Sequence, residues 1–319
     1  MKKTFIPVLF LGILLSGCSN EEKESFNNEP ISPVSFSPTI KGILQERVVK
    51  DSWTSGDKIA IFSDIAIKKD GSTTTTAINY TRDQSLWSSP SEDERWYFAN
   101  ATDTHNFYAY YPIGNGTNVE AIELPDISGQ DGTKSLDELK ESKEFMRGTG
   151  NSIKKDENIS LTMSRIFAFV NLKVKLKENA FAGNTATLKE ISFTGAAALV
   201  NSGSSSLATV NLKDGAVACS NITKIVNLAP AAGFVLTNSA EISIPLIILP
   251  QNGKISVQFT IGDKTSDPIE LSAAKYDSGY IYSYSVEIDA ALKEIGIGDP
   301  NITEWKEAPG SAITPVIPN

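Results

Sequence analysis

Leu172-Lys173-Val174-Lys175-Leu176-Lys177 alternates strictly between aliphatic and lysine side chains. Successive side chains of a β-strand point to opposite faces, so this stretch sets an apolar face against a charged one, as a half-buried strand requires. The same period of two runs through Ile255-Ser256-Val257-Gln258-Phe259-Thr260-Ile261. It recurs where Tyr280, Tyr282, Tyr284, Val286 and Ile288 share a face opposite Ser283, Ser285 and Glu287. Lys58-Ile59-Ala60-Ile61-Phe62 and Phe107-Tyr108-Ala109-Tyr110-Tyr111-Pro112 also read as strands, with Pro112 as a stop or an edge. Thr162 to Lys177 is apolar first and alternating later, which predicts a strand that bends or switches sheets. Ile242 to Leu249 is a nearly continuous apolar run broken by Pro245.

Gly, Asn, Ser and Asp clusters punctuate these runs, among them Asp70-Gly71-Ser72, Gly114-Asn115-Gly116, Gln251-Asn252-Gly253 and Asp277-Ser278-Gly279. Several carry hairpin-turn chemistry. Helical patterning is confined to Ser135–Ser142 and Ala290–Glu294. Many short strands at this spacing predict an all-β chain of two β-sandwich domains in tandem. The N-terminal domain is expected at 34–165, the C-terminal domain at 166–306, and a tail at 307–319.

The chain has 319 residues, 40% of them hydrophobic, and a formal net charge of −9. No basic patch interrupts that acidity, which argues against nucleic-acid binding, since phosphate contacts need clustered Lys and Arg. His105 is the only histidine, which restricts metal binding and Ser-His or Cys-His catalysis. It is expected in a loop ahead of a strand. Cys219 reads as a small core residue. No nucleophile elbow, phosphate loop, metal-spaced Cys/His cluster or Rossmann fingerprint occurs. Asp126 to Asp131-Gly132 lacks the alternating oxygen ligands of a calcium loop and reads as a solvated turn. The expectation is therefore no catalytic residue, no metal and no cofactor. A carboxylate hydrolase stays open as an alternative, because paired Asp and Glu leave no local trace.

Residues 1–17 carry Lys2 and Lys3, then an apolar run from Phe5 to Leu15. That is signal-peptide patterning, and the run is too short to span a bilayer core of about 20 apolar residues. Leu15-Ser16-Gly17-Cys18 resembles the bacterial lipobox, with small residues at the cut and a thiol to take the lipid. Cleavage before Cys18 and acylation there are expected, with palmitate among the chains. Several acyl chains together hold a protein on a membrane stably. Ser19-Asn20-Glu21-Glu22-Lys23-Glu24 opens a polar stretch over 18–33 that predicts a flexible acidic tether. It resembles export signals that send lipoproteins to the outer leaflet of the outer membrane; a plain solvated spacer is the alternative.

Beyond the lipobox, Ser52-Trp53-Thr54-Ser55-Gly56-Asp57-Lys58-Ile59-Ala60-Ile61-Phe62 resembles the W-x-x-G-D-x-I-x-(I/V)-(F/Y) opening of the fimbrillin-like proteins. Tyr80, Trp87 and Trp96-Tyr97-Phe98 stand where that family has aromatics, and Phe107 to Pro112 resembles its F-x-A-Y-Y-P. Phe167 to Leu176 is similar to the family's interdomain strand, although Ser164 to Ile166 departs from its usual His-Leu pair. Gly279-Tyr280-Ile281-Tyr282-Ser283-Tyr284-Ser285-Val286 and Ile302-Thr303-Glu304-Trp305 resemble its closing motifs.

The resemblance implies a type V pilus subunit with two transthyretin-like sandwich domains, exported as a lipoprotein. It also implies a proteolytic cut after an arginine that follows the first strand, and filling of the vacated groove by a neighbouring subunit. The first strand would run from Val34 through Phe36 and Ile40 to Leu44, and the cut would fall between Arg47 and Val48. For Arg47, a surface arginine in a connecting strand is the alternative. Ala312, Thr314 and Val316 are the candidate inward face of a C-terminal donor strand, with an unstructured stub as the alternative. Expected partners are other fimbrial subunits in a homo- or heteropolymer, the outer membrane through the lipid, and a host glycan or protein. Expected locations are the cell surface and, after processing, the fimbria. The Trp and Tyr residues beside strand signals are expected mainly in the core; the alternative is a sugar-stacking platform on a glycan-binding lipoprotein that does not polymerise.

Overall fold

The computed structural model describes residues 32–41, 52–178, 184–201, 208–220, 222–289, 292 and 295–304. Strands of the N-terminal half are β1 (Phe36–Ile40), β2 (Lys58–Ser63), β3 (Ile78–Asp83), β4 (Leu86–Ser88), β5 (His105–Tyr111), β6 (Met146–Ile153) and β7 (Ile159–Arg165). They form one sheet in the order β1-β7-β6-β5-β2-β3-β4. Every neighbouring pair is antiparallel except β1 with β7, which is parallel.

The apolar run in β2 is explained by burial on both faces. Ile59 and Ile61 join a core with Phe36, Tyr80, Trp96 and Phe107. Ala60 and Phe62, one residue out of phase, join a second core with Tyr110, Phe145 and most apolar residues of the C-terminal half. A sheet covered on both faces reads as a continuous apolar run instead of an alternating one. Trp96 fixes the first core from within. Its indole N–H donates to the Ile61 carbonyl (2.9 Å), and its backbone N–H donates to the Tyr80 hydroxyl (3.0 Å).

The C-terminal half contributes β8 (Ala168–Leu176), β9 (Thr185–Gly195), β10 (Ile225–Leu228), β11 (Phe234–Thr237), β12 (Ile242–Ile248), β13 (Ile255–Ile261), β14 (Tyr280–Ile288), β15 (Ile295–Ile297) and β16 (Asn301–Glu304). One sheet sets β10 and β11 on one side of β9 and β13 on the other. The second runs β12-β8-β14, with β15 and β16 both paired to β14. Their apolar side chains, including Leu172, Val174, Ile191, Phe193, Phe259, Tyr284 and Val286, fill the second core between them in a sandwich-like arrangement. Lys175, on the outer face of β8, meets Glu287 directly across in β14 (2.8 Å). The alternation at 172–177 is thus an apolar face on the sandwich core and a lysine face in water.

The chain changes sheets at Ile166-Phe167, both buried, between the end of β7 and the start of β8. At that crossing Arg165 and Glu144 form an ion pair with side chains only 4% and 6% exposed, its contacts 3.0 and 3.1 Å. Glu144 caps the C-terminal end of helix α1 (Leu136–Lys143). The opposite end of α1 is a capping box, with Ser135 and Glu138 each bonded to the other's backbone N–H. Of the second helical signal, Leu292 alone lies among the described residues.

Three local expectations change. His105 is not in a loop: it opens β5, fully buried, its Nε2 accepting from the Ala99 N–H (3.1 Å) and its ring edge-on to Phe98 (5.1 Å). Asp126 to Gly132 is no solvated turn, because Ile127 is fully buried and Gln130 bonds to β12. The Gln130 amide accepts from the Ile247 N–H (2.9 Å) and donates to the Ile247 carbonyl (2.8 Å), as a neighbouring strand would. Cys219 is partly buried and packs against the second core instead of lying inside it.

The Arg165–Glu144 pair yields a direct test. Replacing Arg165 with Ala removes the positive charge facing a buried carboxylate, which should cost about 3–5 kcal/mol. Chemical denaturation should show that loss, and Arg165→Ala combined with Glu144→Ala should cost less than the two single changes added together.

Candidate functional site

The feature that sets this fold apart is how its first strand is held. Residues 32–34 pair antiparallel with 96–98, through Phe98 N–H to the Ser32 carbonyl (3.1 Å) and Val34 N–H to the Trp96 carbonyl (2.9 Å). The chain then leaves that partner and runs as β1 along β7. Pairs extend in parallel from Phe36 opposite Ile159 to Ile40 opposite Met163. Among the described residues nothing pairs with the other side of β1, although β4, at the far end of the sheet, curls round to approach it.

Burial alternates strictly from Val34 to Ile40: Val34, Phe36, Pro38 and Ile40 are buried, while Ser35, Ser37 and Thr39 are exposed. Phe36 sits edge-on to Tyr80 (4.9 Å between ring centres) and Phe107 (5.3 Å). Tyr80 is the floor of this slot, and burial pushes its hydroxyl pKa up. Outside, Asn158 Nδ2 donates to the Ser37 hydroxyl (2.9 Å). The strand therefore fills a groove of alternating apolar pockets.

Hydrogen-bond phase explains why a proline is tolerated at the middle of this strand. The Ser35 carbonyl accepts from Ile159 N–H (3.0 Å), and the Lys41 N–H donates to the Met163 carbonyl (2.8 Å). Consecutive residues of a strand bond to opposite sides, so odd-numbered residues of β1 face β7 and even-numbered ones face away. Pro38 has no N–H, but its phase is the outward one, where no ladder bond is lost. It also leaves the open edge without a donor at its centre, a common way of protecting an edge strand.

The predicted site residues divide between those the structure places and those beyond it. Phe36 and Ile40 lie in β1 with side chains in the groove. Cys18, Leu44, Arg47, Val48, Ala312, Thr314 and Val316 lie outside the described residues. A small cleft brings the end of β1 and the end of β16 together: Lys41, just after β1, and Glu304 both line it with Arg165 and Gly279. Val34 and Pro38, within the expected first strand but not singled out as inward-facing, also fill the groove; the alternation of Val34-Ser35-Phe36-Ser37-Pro38-Thr39-Ile40 was the available signal.

The aromatic rings turn inward. Trp53, Trp96, Tyr282 and Tyr284 are buried, and Trp87 and Tyr280 are partly buried. Trp53 packs edge-on to Trp87 (5.1 Å) and Tyr111 (5.5 Å), beside β4 and β5. Among the described residues no group of three or more His, Cys, Asp or Glu could hold a metal ion. No helix there is long and apolar enough to cross a membrane.

Fold and groove together define a β-rich protein built to hold a strand. Its pattern is fimbrillin-like over residues 47–305, and the chain belongs to that family, which is structural, located at the cell surface, and not enzymatic. A candidate cell adhesion protein from Bacteroides ovatus ATCC 8483 has a similar fold, with a TM-score of 0.55 at 18% identity over 87% of this chain and 99% of that one. Another, from Bacteroides uniformis ATCC 8492, has a TM-score of 0.56 at 14% identity over 86% and 99%. No curated protein matches the chain.

Truncating the ring that anchors β1 tests the groove. Phe36→Ala should lower stability by about 3–5 kcal/mol, the usual range for emptying a buried aromatic site. Hydrogen exchange should rise first at the β1 and β7 amides. An unchanged exchange pattern there would mean that β1 is not held by its apolar face.

Proposed function

We propose that this chain is a fimbrial subunit delivered to the cell surface as a lipoprotein and assembled by exchange of its first strand. Lipid on Cys18 holds the precursor at the outer membrane. A cut between Arg47 and Val48 separates β1, with its lipid, from the rest of the chain. The vacated groove then takes an extended segment of a neighbouring subunit. In this reading 34–165 and 166–306 are the two sandwich domains, and the neighbours are other fimbrial subunits.

The observation that carries this reading is β1 itself. Among the described residues it is an edge strand bonded to one partner, and its apolar face lies in a groove lined by other parts of the chain. Losing it would leave the outward N–H and C=O groups of β7 unpaired and a row of apolar pockets empty. An unpaired edge beside apolar pockets is what strand addition requires: main-chain bonds supply affinity and alternate side chains supply specificity. The stretch matched to the family, 47–305, also leaves out β1. That suits a strand which is separable from the working body of the subunit.

The processed terminus decides the matter. Protein recovered from fimbriae should begin at Val48, and Arg47→Ala should leave full-length, lipid-bearing protein at the membrane and no polymer. Recovery of wild-type protein that begins at Cys18 within a polymer would refute the cut.

A further inference from the structure

One open edge of the C-terminal half differs from the rest. Among the described residues no strand pairs with the outer side of β10 or β11. From Ile225 to Ala240 the sequence carries no charged residue. Ile225 on β10 is 55% exposed and Val235 on β11 is 61% exposed, both on the face turned from the core. The other edges are guarded. β1 and β4 approach each other, Gln130 bonds the free side of β12, and β16 with the turn before it carries Asp299 and Glu304. The far side of β13 has Lys264 and Glu270 in its short partner strands. Charge and proline are the common means of blunting an edge, and β10 has neither. We infer that β10 is a contact surface for a second copy of this chain, joined to its twin edge to edge about a two-fold axis.

Hydrogen-bond phase sets the register. The Gly195 N–H donates to the Lys224 carbonyl (2.8 Å), and Val226 stands opposite Phe193. Consecutive residues of a strand bond to opposite sides, so the even-numbered residues of β10 bond to β9. Ile225 and Asn227 therefore turn N–H and C=O outward. With Val226 on the axis, Ile225 of each copy stands opposite Asn227 of the other. Each such pair exchanges bonds in both directions, and no outward group of either residue is left over. An axis at Ile225 instead sets Asn227 against Thr223, whose carbonyl already accepts from the Leu199 N–H (2.9 Å). An axis at Asn227 sets Ile225 against Ala229, beyond the end of β10. The Ser192 hydroxyl donates to the Asn227 side-chain oxygen (2.8 Å) and fixes the amide across which the second copy's isoleucine lies.

The charge of the molecule selects the partner. At a net charge of −9, two copies repel one another wherever their acidic surfaces meet. An uncharged edge escapes that repulsion, and it offers a basic partner or a phosphate no complement. Pairing about a two-fold axis requires a strand to match itself, and β10 does. An edge of four residues is small for a stable interface, so the association is weak and rises with concentration. A two-fold contact closes at two copies and adds no length. It is separate from the strand-exchange reading, which concerns β1; on fimbriae it would tie filaments side by side.

Cysteine pairs and sedimentation test the contact in the full exported chain carrying Cys219→Ser, in detergent with micelles in excess over protein. Directly opposed strand residues lie within disulfide reach, whereas diagonal ones lie about 7–8 Å apart, beyond it. Oxidation should link Ile225→Cys chains to Asn227→Cys chains when the two are mixed. Neither variant should link to itself beyond the level of Cys219→Ser alone, and self-linking of either would overturn the register. A chain that sediments as a monomer at every concentration overturns the contact itself. Ile225→Lys places a charge on the edge and should weaken the dimer about tenfold or more, because the isoleucines of both copies lose their burial. Its melting temperature should match that of the parent, since this side chain already points into water in a single copy. Leu86→Lys, at the exposed aliphatic of β4, should leave the dimer unchanged. Equal weakening by both changes, or none by Ile225→Lys, would overturn the assignment to β10.

Discussion

The backbone of β7 must find hydrogen bonds on both sides, and much of the molecule follows from how its outer side is satisfied. An exposed edge is a ready template for pairing. Here β1 covers that edge in parallel, and its alternate side chains close the core beneath. Elsewhere the chain satisfies edges by other means. The amide of Gln130 takes up both main-chain groups of Ile247 on β12. Two short strands, β15 and β16, cover most of β14. Among the described residues β1 is paired on one side alone, through a five-residue ladder and one apolar face. Strand exchange would act on that edge.

The seven-stranded sheet also separates two cores. β2 contributes Ile59 and Ile61 to one and Ala60 and Phe62 to the other, so neither core can be dismantled without exposing that strand. The buried side chains of β1 enter the smaller core alone. The larger core reaches from Ala60 to Leu292 and includes helix α1 through Leu139. A body held by the larger core can keep its shape while one strand of the smaller core is replaced. This gives a physical basis for a subunit whose first strand is temporary.

Strand positions were legible wherever burial is one-sided. The alternation at 172–177, 255–261 and 280–288 matches β8, β13 and β14 closely, because polar residues on the water face mark the period. The break in pattern between Thr162 and Lys177 reads as a bend or a change of sheet, and the structure has a change of sheet there. Sequence reasoning failed where a polar side chain is buried with a partner distant in the chain. His105 is polar and lies beside Asp103 and Asn106, so it reads as a loop, yet it is enclosed by Phe98 and Phe107. Asp126 to Gly132 is rich in turn residues, yet Gln130 serves a strand more than a hundred residues away.

Local order in the chain therefore determined the all-β class, most strand positions, the capped helix and the motifs that resemble the fimbrillin-like proteins. These depend on periods of two and on capping or turn chemistry, which act over a few residues. Sheet order, the parallel direction of β1 and the phase that makes Pro38 harmless were settled by tertiary structure. They depend on which strand lies beside which, and a hydrogen bond between Ser35 and Ile159 leaves no mark on the residues near either one.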